Sequence, residues 1–182
     1  MPTPTGTGGA RLLAGSQAEA IALIRQIAER AHVTGGGAPV NPNTVDVIAY
    51  YASQPWLPSE YINEANFLTI PASSPFVTLL TYTVPARQCG YLEGFCNSVS
   101  SWAQFDYVQW QVRVNDAAVN EWDLISGPIG FFPDVVQRFF WPLFQGQTVT
   151  VLANNAATIP APFIAAKILG RVFPDTLPAS GT

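Results

Sequence analysis

One seven-residue segment constrains the fold of this chain more than any other. In Val108-Gln109-Trp110-Gln111-Val112-Arg113-Val114 every second residue is apolar and those between are polar. Side chains alternate across a β-strand, so the pattern describes a strand with one face in a core and the other toward water. A helix would scatter the same four apolar residues around its circumference. The strand covers Tyr107–Asn115, Asn115-Asp116 closes it with turn chemistry, and Ala117–Trp122 can return as a hairpin partner. Period two begins at about Phe67. Phe76–Val84, Val135–Phe140, Gln147–Ala153 and Phe163–Val172 complete a set of short strands divided by Gly, Pro or Asn-Asn.

The amino-terminal part follows a different rule. Residues 1–15 form a Gly/Thr/Pro tail. Ser16-Gln17-Ala18-Glu19 then has the spacing of a capping box, in which the serine hydroxyl accepts from one amide while the glutamate reaches back to another. Ala20, Leu23, Ile24, Ile27, Ala28 and Ala31 recur at helical spacing behind it, which predicts an amphipathic helix over Gln17–Ala31, stopped by Gly35-Gly36-Gly37. A shorter periodic segment, Thr44–Ala52, follows Asn41-Pro42-Asn43; it suits a helix capped by Asn43 or Thr44, and its outline also suits a strand. Pro55, Pro58, Pro71 and Pro75 punctuate an extended linker. The expected architecture is therefore a mainly β protein. It is a β-sandwich, jelly-roll-like, in residues 66–182, with an amino-terminal arm in residues 1–65.

Charge then limits how such a sandwich meets its surroundings. Eight Lys or Arg and twelve Asp or Glu among 182 residues make 11% charged, against 48% hydrophobic, and Lys167 is the one lysine. A soluble domain usually has about a quarter of its residues charged. Neighbours in an assembly are the simplest cover for a surface so poor in charge. With a net charge of −4 and no basic run, nothing points to nucleic acid. No apolar stretch approaches the ~20 residues of a membrane span, and the Pro- and Gly-rich start lacks the pattern of a signal peptide. The expectation is a protein made in a cytoplasm, with no membrane and no nucleic-acid partner.

Few residues offer chemistry. His32 is the only histidine, placed where it would meet the carboxyl end of the first helix favourably. No G-x-S-x-G, HExxH, Walker or dinucleotide glycine motif occurs. Cys89 and Cys96 bracket Gly90-Tyr91-Leu92-Glu93-Gly94-Phe95. Two thiols and one distant histidine fall short of a structural zinc site, so the pair is either two free thiols or one disulfide closing a short loop. Asp116, Glu121 and Asp123 form the one acidic cluster, and solvated turn residues explain it better than a Ca²⁺ site. No catalytic residue, metal or cofactor is expected, and the chain reads as a non-enzyme.

The aromatics carry more information. Trp110 belongs to the apolar face of its strand. Phe139-Phe140-Trp141 are consecutive, so in a strand Phe139 and Trp141 share one face and Phe140 takes the other. One of these faces is expected to meet a neighbouring subunit, as are Ile24 and Ile27 of the amphipathic helix.

The carboxy-terminal third, Gly146-Gln147-Thr148-Val149-Thr150-Val151, Asn154-Asn155 and Ala165-Ala166-Lys167-Ile168-Leu169-Gly170-Arg171-Val172-Phe173-Pro174, resembles accessory proteins of tailed-bacteriophage virions. The resemblance implies a capsid decoration or cement protein, commonly trimeric, with an extended arm and no catalytic residue. Its partners would be the major capsid protein or other virion proteins, and its location the virion, after assembly in the host cytoplasm. A neck, tail or baseplate structural protein is the alternative within the particle. A carbohydrate-binding β-sandwich that uses exposed Trp and Tyr is the alternative of another class.

Overall fold

A computed structural model describes residues 42–54, 57, 59–100, 106–119, 123–126 and 137–177, with Ala22 and Gln26 in addition. The side chains of Pro42, Asn43, Gln137, Arg138, Phe139 and Pro162 lie outside that description. Ala22 and Gln26 are helical and exposed. The rest of the expected helix Gln17–Ala31, with Ile24, Ile27 and His32, lies outside the described residues.

The described chain starts with helix α1, Pro42–Ser53. Pro42 stands in the first turn, where its missing N–H costs nothing because that amide has no helical acceptor. Nine strands follow: β1 Glu60–Ile70, β2 Ser74–Thr83, β3 Gln88–Val99, β4 Val108–Val114, β5 Ala117–Ala118, β6 Ile125–Ser126, β7 Gln137–Leu143, β8 Thr148–Asn155 and β9 Ala161–Pro174. They form two antiparallel sheets packed as a β-sandwich. The first has the order β1-β9-β3-β7; the second has β2-β8-β4-β5, with β6 also on β4. The pairs nest: β1 with β9, β2 with β8, β3 with β7, and β4 with β5 and β6. One long antiparallel ribbon, bent so that successive pairs fall alternately into the two sheets, gives this order.

The alternation that marks β4 holds on its apolar face, while on the other face Gln109 and Arg113 are half-buried and Gln111 is buried. Val108, Trp110 and Val112 are completely buried between the sheets, where they meet Val149, Val151 and Ala153 of β8 and Leu92, Phe95, Ile164 and Ile168 of the opposite sheet. Burying each such side chain contributes about 1.5–3 kcal/mol. The turn after β4 places Asn115 and Asp116 at φ 48° and 67°, the left-handed pair that a tight hairpin requires. The returning strand is short, because only Ala117 and Ala118 pair before the chain leaves and comes back as β6.

The first sheet has a second core on its outer face. There α1 buries Val45, Ile48, Ala49, Tyr51 and Ala52 against Cys89, Tyr91, Phe140, Phe144 and Phe173. Tyr51 stacks on Phe173, with ring centroids 4.1 Å apart and planes at 10°. The hydroxyl of Thr44 donates to Asp175 Oδ2 at 2.9 Å, which fastens the first turn of α1 to the chain leaving β9. Two expectations change here. The boundary at residue 65 falls inside β1, and α1 and the first half of β1 belong to the packed body, because the apolar face of α1 is buried against the first sheet. Phe140 and Trp141 are both buried within the chain, Phe140 in the outer core and Trp141 between the sheets. Neither ring is a free subunit contact, because both faces of the first sheet are covered at this point. The side chain of Phe139 lies outside the described residues.

Candidate functional site

The two cysteines do not make a site. Both lie on the single strand β3, at its two ends, and seven steps of strand separate their Cα atoms by roughly 20 Å, far beyond disulfide reach. Each is a buried free thiol. Of the two alternatives, free thiols or a disulfide closing a short loop, the structure has the free thiols, and the residues between them form a central strand in which Gly90 serves packing. A Cβ at Gly90 would fall on the carbonyl oxygen of Arg171, and one at Gly170 on that of Tyr91, so glycine is required where β3 and β9 approach most closely. Burial pushes the Cys89 thiol well above its usual range, and the charge of Asp175 and hydrogen bonding to it push the same way. Burial also raises Cys96, against a smaller opposite pull from Lys167. A thiol held protonated and out of solvent is a poor nucleophile.

The acidic cluster is divided. Asp116 is exposed in the β4–β5 turn. Asp123 accepts a hydrogen bond from the Gln111 amide, whose oxygen in turn accepts from Arg113 Nε at 2.7 Å. Asp123 thereby ties the loop to the outer face of the second sheet. Glu121 lies outside the described residues. No group of three His, Cys, Asp or Glu side chains gathers among the described residues, and no helix among them is long and apolar enough to cross a membrane.

What the surface does offer is the β1 side of the first sheet. Tyr61, Asn63, Ala65 and Phe67 share the outer face of β1, and seven consecutive residues, Asn63 to Thr69, are exposed. Phe67 stacks on Phe163 of β9, with centroids 5.0 Å apart and planes at 24°, and both rings remain open to solvent, Phe67 at 62%. Tyr61, 72% exposed, lies 5.9 Å from the guanidinium of Arg171 across the ladder, within cation–π reach.

Arg171 organises this end of the sheet. It is buried, and its hydrogen bonds run to Ser59 Oγ at 2.8 Å, to the Leu57 carbonyl at 3.0 Å and to the Tyr91 hydroxyl at 3.3 Å. It thus joins the segment leading out of α1 to β3 and β9, and holds the start of β1 in place. Tyr91 feels both influences: burial raises its pKa, and the neighbouring guanidinium lowers it. Sequence reasoning did not find Tyr61, Phe67, Phe163 or Arg171. Phe67 marked only the start of period two, and nothing in the sequence distinguishes an arginine laid flat under a sheet face from one reaching into water.

Neither a protein-family model nor a curated protein sequence matches the chain. Among solved structures, the crystal structure of dimeric latent PorU from Porphyromonas gingivalis is similar over 62% of this chain, at 10% identity and a TM-score of 0.26. The chain spans only 13% of the length of that protein.

Proposed function

We propose that the chain is a structural component of a virus particle, a decoration or cement protein that binds non-covalently across the capsomers of a phage head. In this reading it acts as a homo-oligomer, its partners are the major capsid protein or other virion proteins, and it carries out no catalysis. The observation that supports this best is the nested strand order. Sheets of four and five strands made by one folded ribbon are compatible with a jelly roll, an architecture found in viral capsid domains, lectins and cupins. The surface favours a contact-making role within that group. Inward positions from Leu92, Phe95, Trp110 and Ile164 are packed and apolar, so a partner meets the outside. There the charge is sparse and Tyr61, Phe67 and Phe163 are exposed.

Immunogold labelling of purified particles in negative stain tests the reading. Regular label over the head is the expected result. Label at the neck, tail or baseplate would move the protein to the alternative position in the virion, and particles without label would overturn the proposal. The stacked Phe67–Phe163 pair favours one second reading, since a flat exposed ring face also suits the apolar face of a sugar. Saturable binding to a glycan array that is lost in Phe67→Ala would decide for it.

A further inference from the structure

We infer that β1 is a homodimer edge: two copies of this chain join β1 to β1, antiparallel, about a twofold axis at Ala65, and fuse their first sheets into one of eight strands. The inference goes beyond the particle reading and concerns the isolated chain in solution.

The edges of the sandwich differ in how they resist such pairing. Proline, bulges, short strands and charge are the usual protections of an exposed edge. β2, the edge of the second sheet, carries Pro75 and two register shifts. β7 carries Arg138 and Pro142, and β5 and β6 are two residues each. Of these devices β1 carries only the charges of Glu60 and Glu64 and one register shift near its end, between Leu68 and Ile70. It holds an unbroken register with β9 from Glu60 to Leu68, contains no proline or lysine, and is exposed on both faces through its middle.

The hydrogen-bonding direction fits a partner. The Phe67 N–H donates to Asn66 Oδ1 at 2.9 Å, an exposed local substitute for a ladder partner, so this amide is turned away from β9. Alternate residues of a strand point their amides the same way, which places Asn63, Ala65 and Phe67 on the open edge. A twofold at Ala65 pairs Ala65 with its own copy and Asn63 with Phe67, all three among the outward-directed residues. It also keeps each face continuous, since residues paired in this way have the same parity.

The side chains select that centre. With the axis at Ala65, Ile62 lies opposite Leu68 and Glu64 opposite the amide of Asn66. Moving the centre to Glu64 sets that carboxylate against its own copy. Moving it to Asn66 sets Glu64 against Leu68. Like charges directly opposite each other across strands repel, so of these three centres the one at Ala65 alone sets Ile62 against Leu68 and keeps Glu64 from both its own copy and an apolar side chain. At that centre the smallest side chain of the strand, Ala65, meets itself, and the bulk of Phe67 falls beside Asn63.

Sedimentation equilibrium of the full chain from micromolar to several hundred micromolar tests the inference, with circular dichroism recording the fold of each variant. The expected result is a reversible monomer–dimer equilibrium. Ala65→Lys, which sets two lysines face to face, should weaken it about tenfold or more, equivalent to ~1.4 kcal/mol. Thr81→Lys, at an exposed position of β2, should leave it unchanged. Ala65→Cys provides an independent reading: under mild oxidant it should give a covalent dimer, since the native thiols Cys89 and Cys96 are buried. A wild-type monomer at every concentration, a trimer, a dimer indifferent to Ala65→Lys, or no cross-link from Ala65→Cys would each overturn it.

Discussion

The second sheet is buried on one face, whereas the first has a core on each face over the part that α1 covers. In β8, Val149, Val151 and Ala153 point inward while Thr148, Thr150 and Leu152 stay half-open on the other side. In β3, by contrast, Cys89, Gly90, Tyr91 and Leu92 are buried in succession, the odd pair under α1 and Leu92 between the sheets. The same strand chemistry thus yields an alternating pattern in one sheet and a continuous one in the other. The first sheet itself changes character from end to end, sealed by α1 over β3 and β9 and open along β1.

Aromatic truncations should show this difference with the largest effects. Phe140→Ala and Trp141→Ala face opposite sides of β7, yet each should cost about 3–5 kcal/mol in denaturant melts, because each removes a buried ring from its own core. In the second sheet, Trp110→Ala should cost a similar ~3–5 kcal/mol, while its neighbour Gln109→Ala, which faces outward, should cost under about 1 kcal/mol. A Phe140→Ala variant as stable as the parent would mean that α1 does not seal the outer face.

Gly90→Ala probes the closest approach in the first sheet. The added methyl meets backbone that cannot move aside, so a loss of about 1–3 kcal/mol is expected. Ala153→Gly in the second sheet relieves nothing and should only weaken its strand by ~1 kcal/mol. Equal stability of Gly90→Ala and the parent would refute the tight β3–β9 contact.

A pH effect of comparable size follows from the buried thiols. Folded Cys89 and Cys96 hold their protons above the ordinary value of 9.0. Above that pH the unfolded chain binds fewer protons than the folded one, so stability is intact below about pH 9 and falls as pH rises further. The slope should be ~1.4 kcal/mol per pH unit for each thiol that stays protonated. Denaturant midpoints at pH 8 and pH 10 measure it, and Cys89→Ala should flatten it. Both thiols should also resist an aromatic disulfide reagent at pH 8 until denaturant is added; rapid native labelling of either would contradict their burial.

These contrasts explain what the sequence made legible. β4 and β8 could be read because one side of each meets the core and the other does not, so period two survives. The sandwich as a whole followed from several such strands. β3 does not stand among the strands expected from the sequence, because burial on both faces erases alternation. The early start of β1 was masked by Pro58 and Pro71 on either side of it. The subunit-contact reading of Phe140 and Trp141 followed correctly from strand geometry but assumed an uncovered outer face, and the packing of α1 could not be inferred from its periodicity. The exposed rings of Tyr61, Phe67 and Phe163 come together through the β1–β9 register, which links residues about a hundred positions apart.

Hydrogen–deuterium exchange of the intact chain, at low and at high protein concentration, bears most directly on the claim that the first sheet is sealed by α1 at one end and left for a second copy along β1. The amides of Asn63, Ala65 and Phe67 should exchange quickly in dilute solution and become protected as concentration rises, while those of Thr81 and Thr83 on β2 stay unchanged and Ile48 in α1 stays protected throughout. Concentration-dependent protection on β2 instead of β1, or none on either edge, would contradict it.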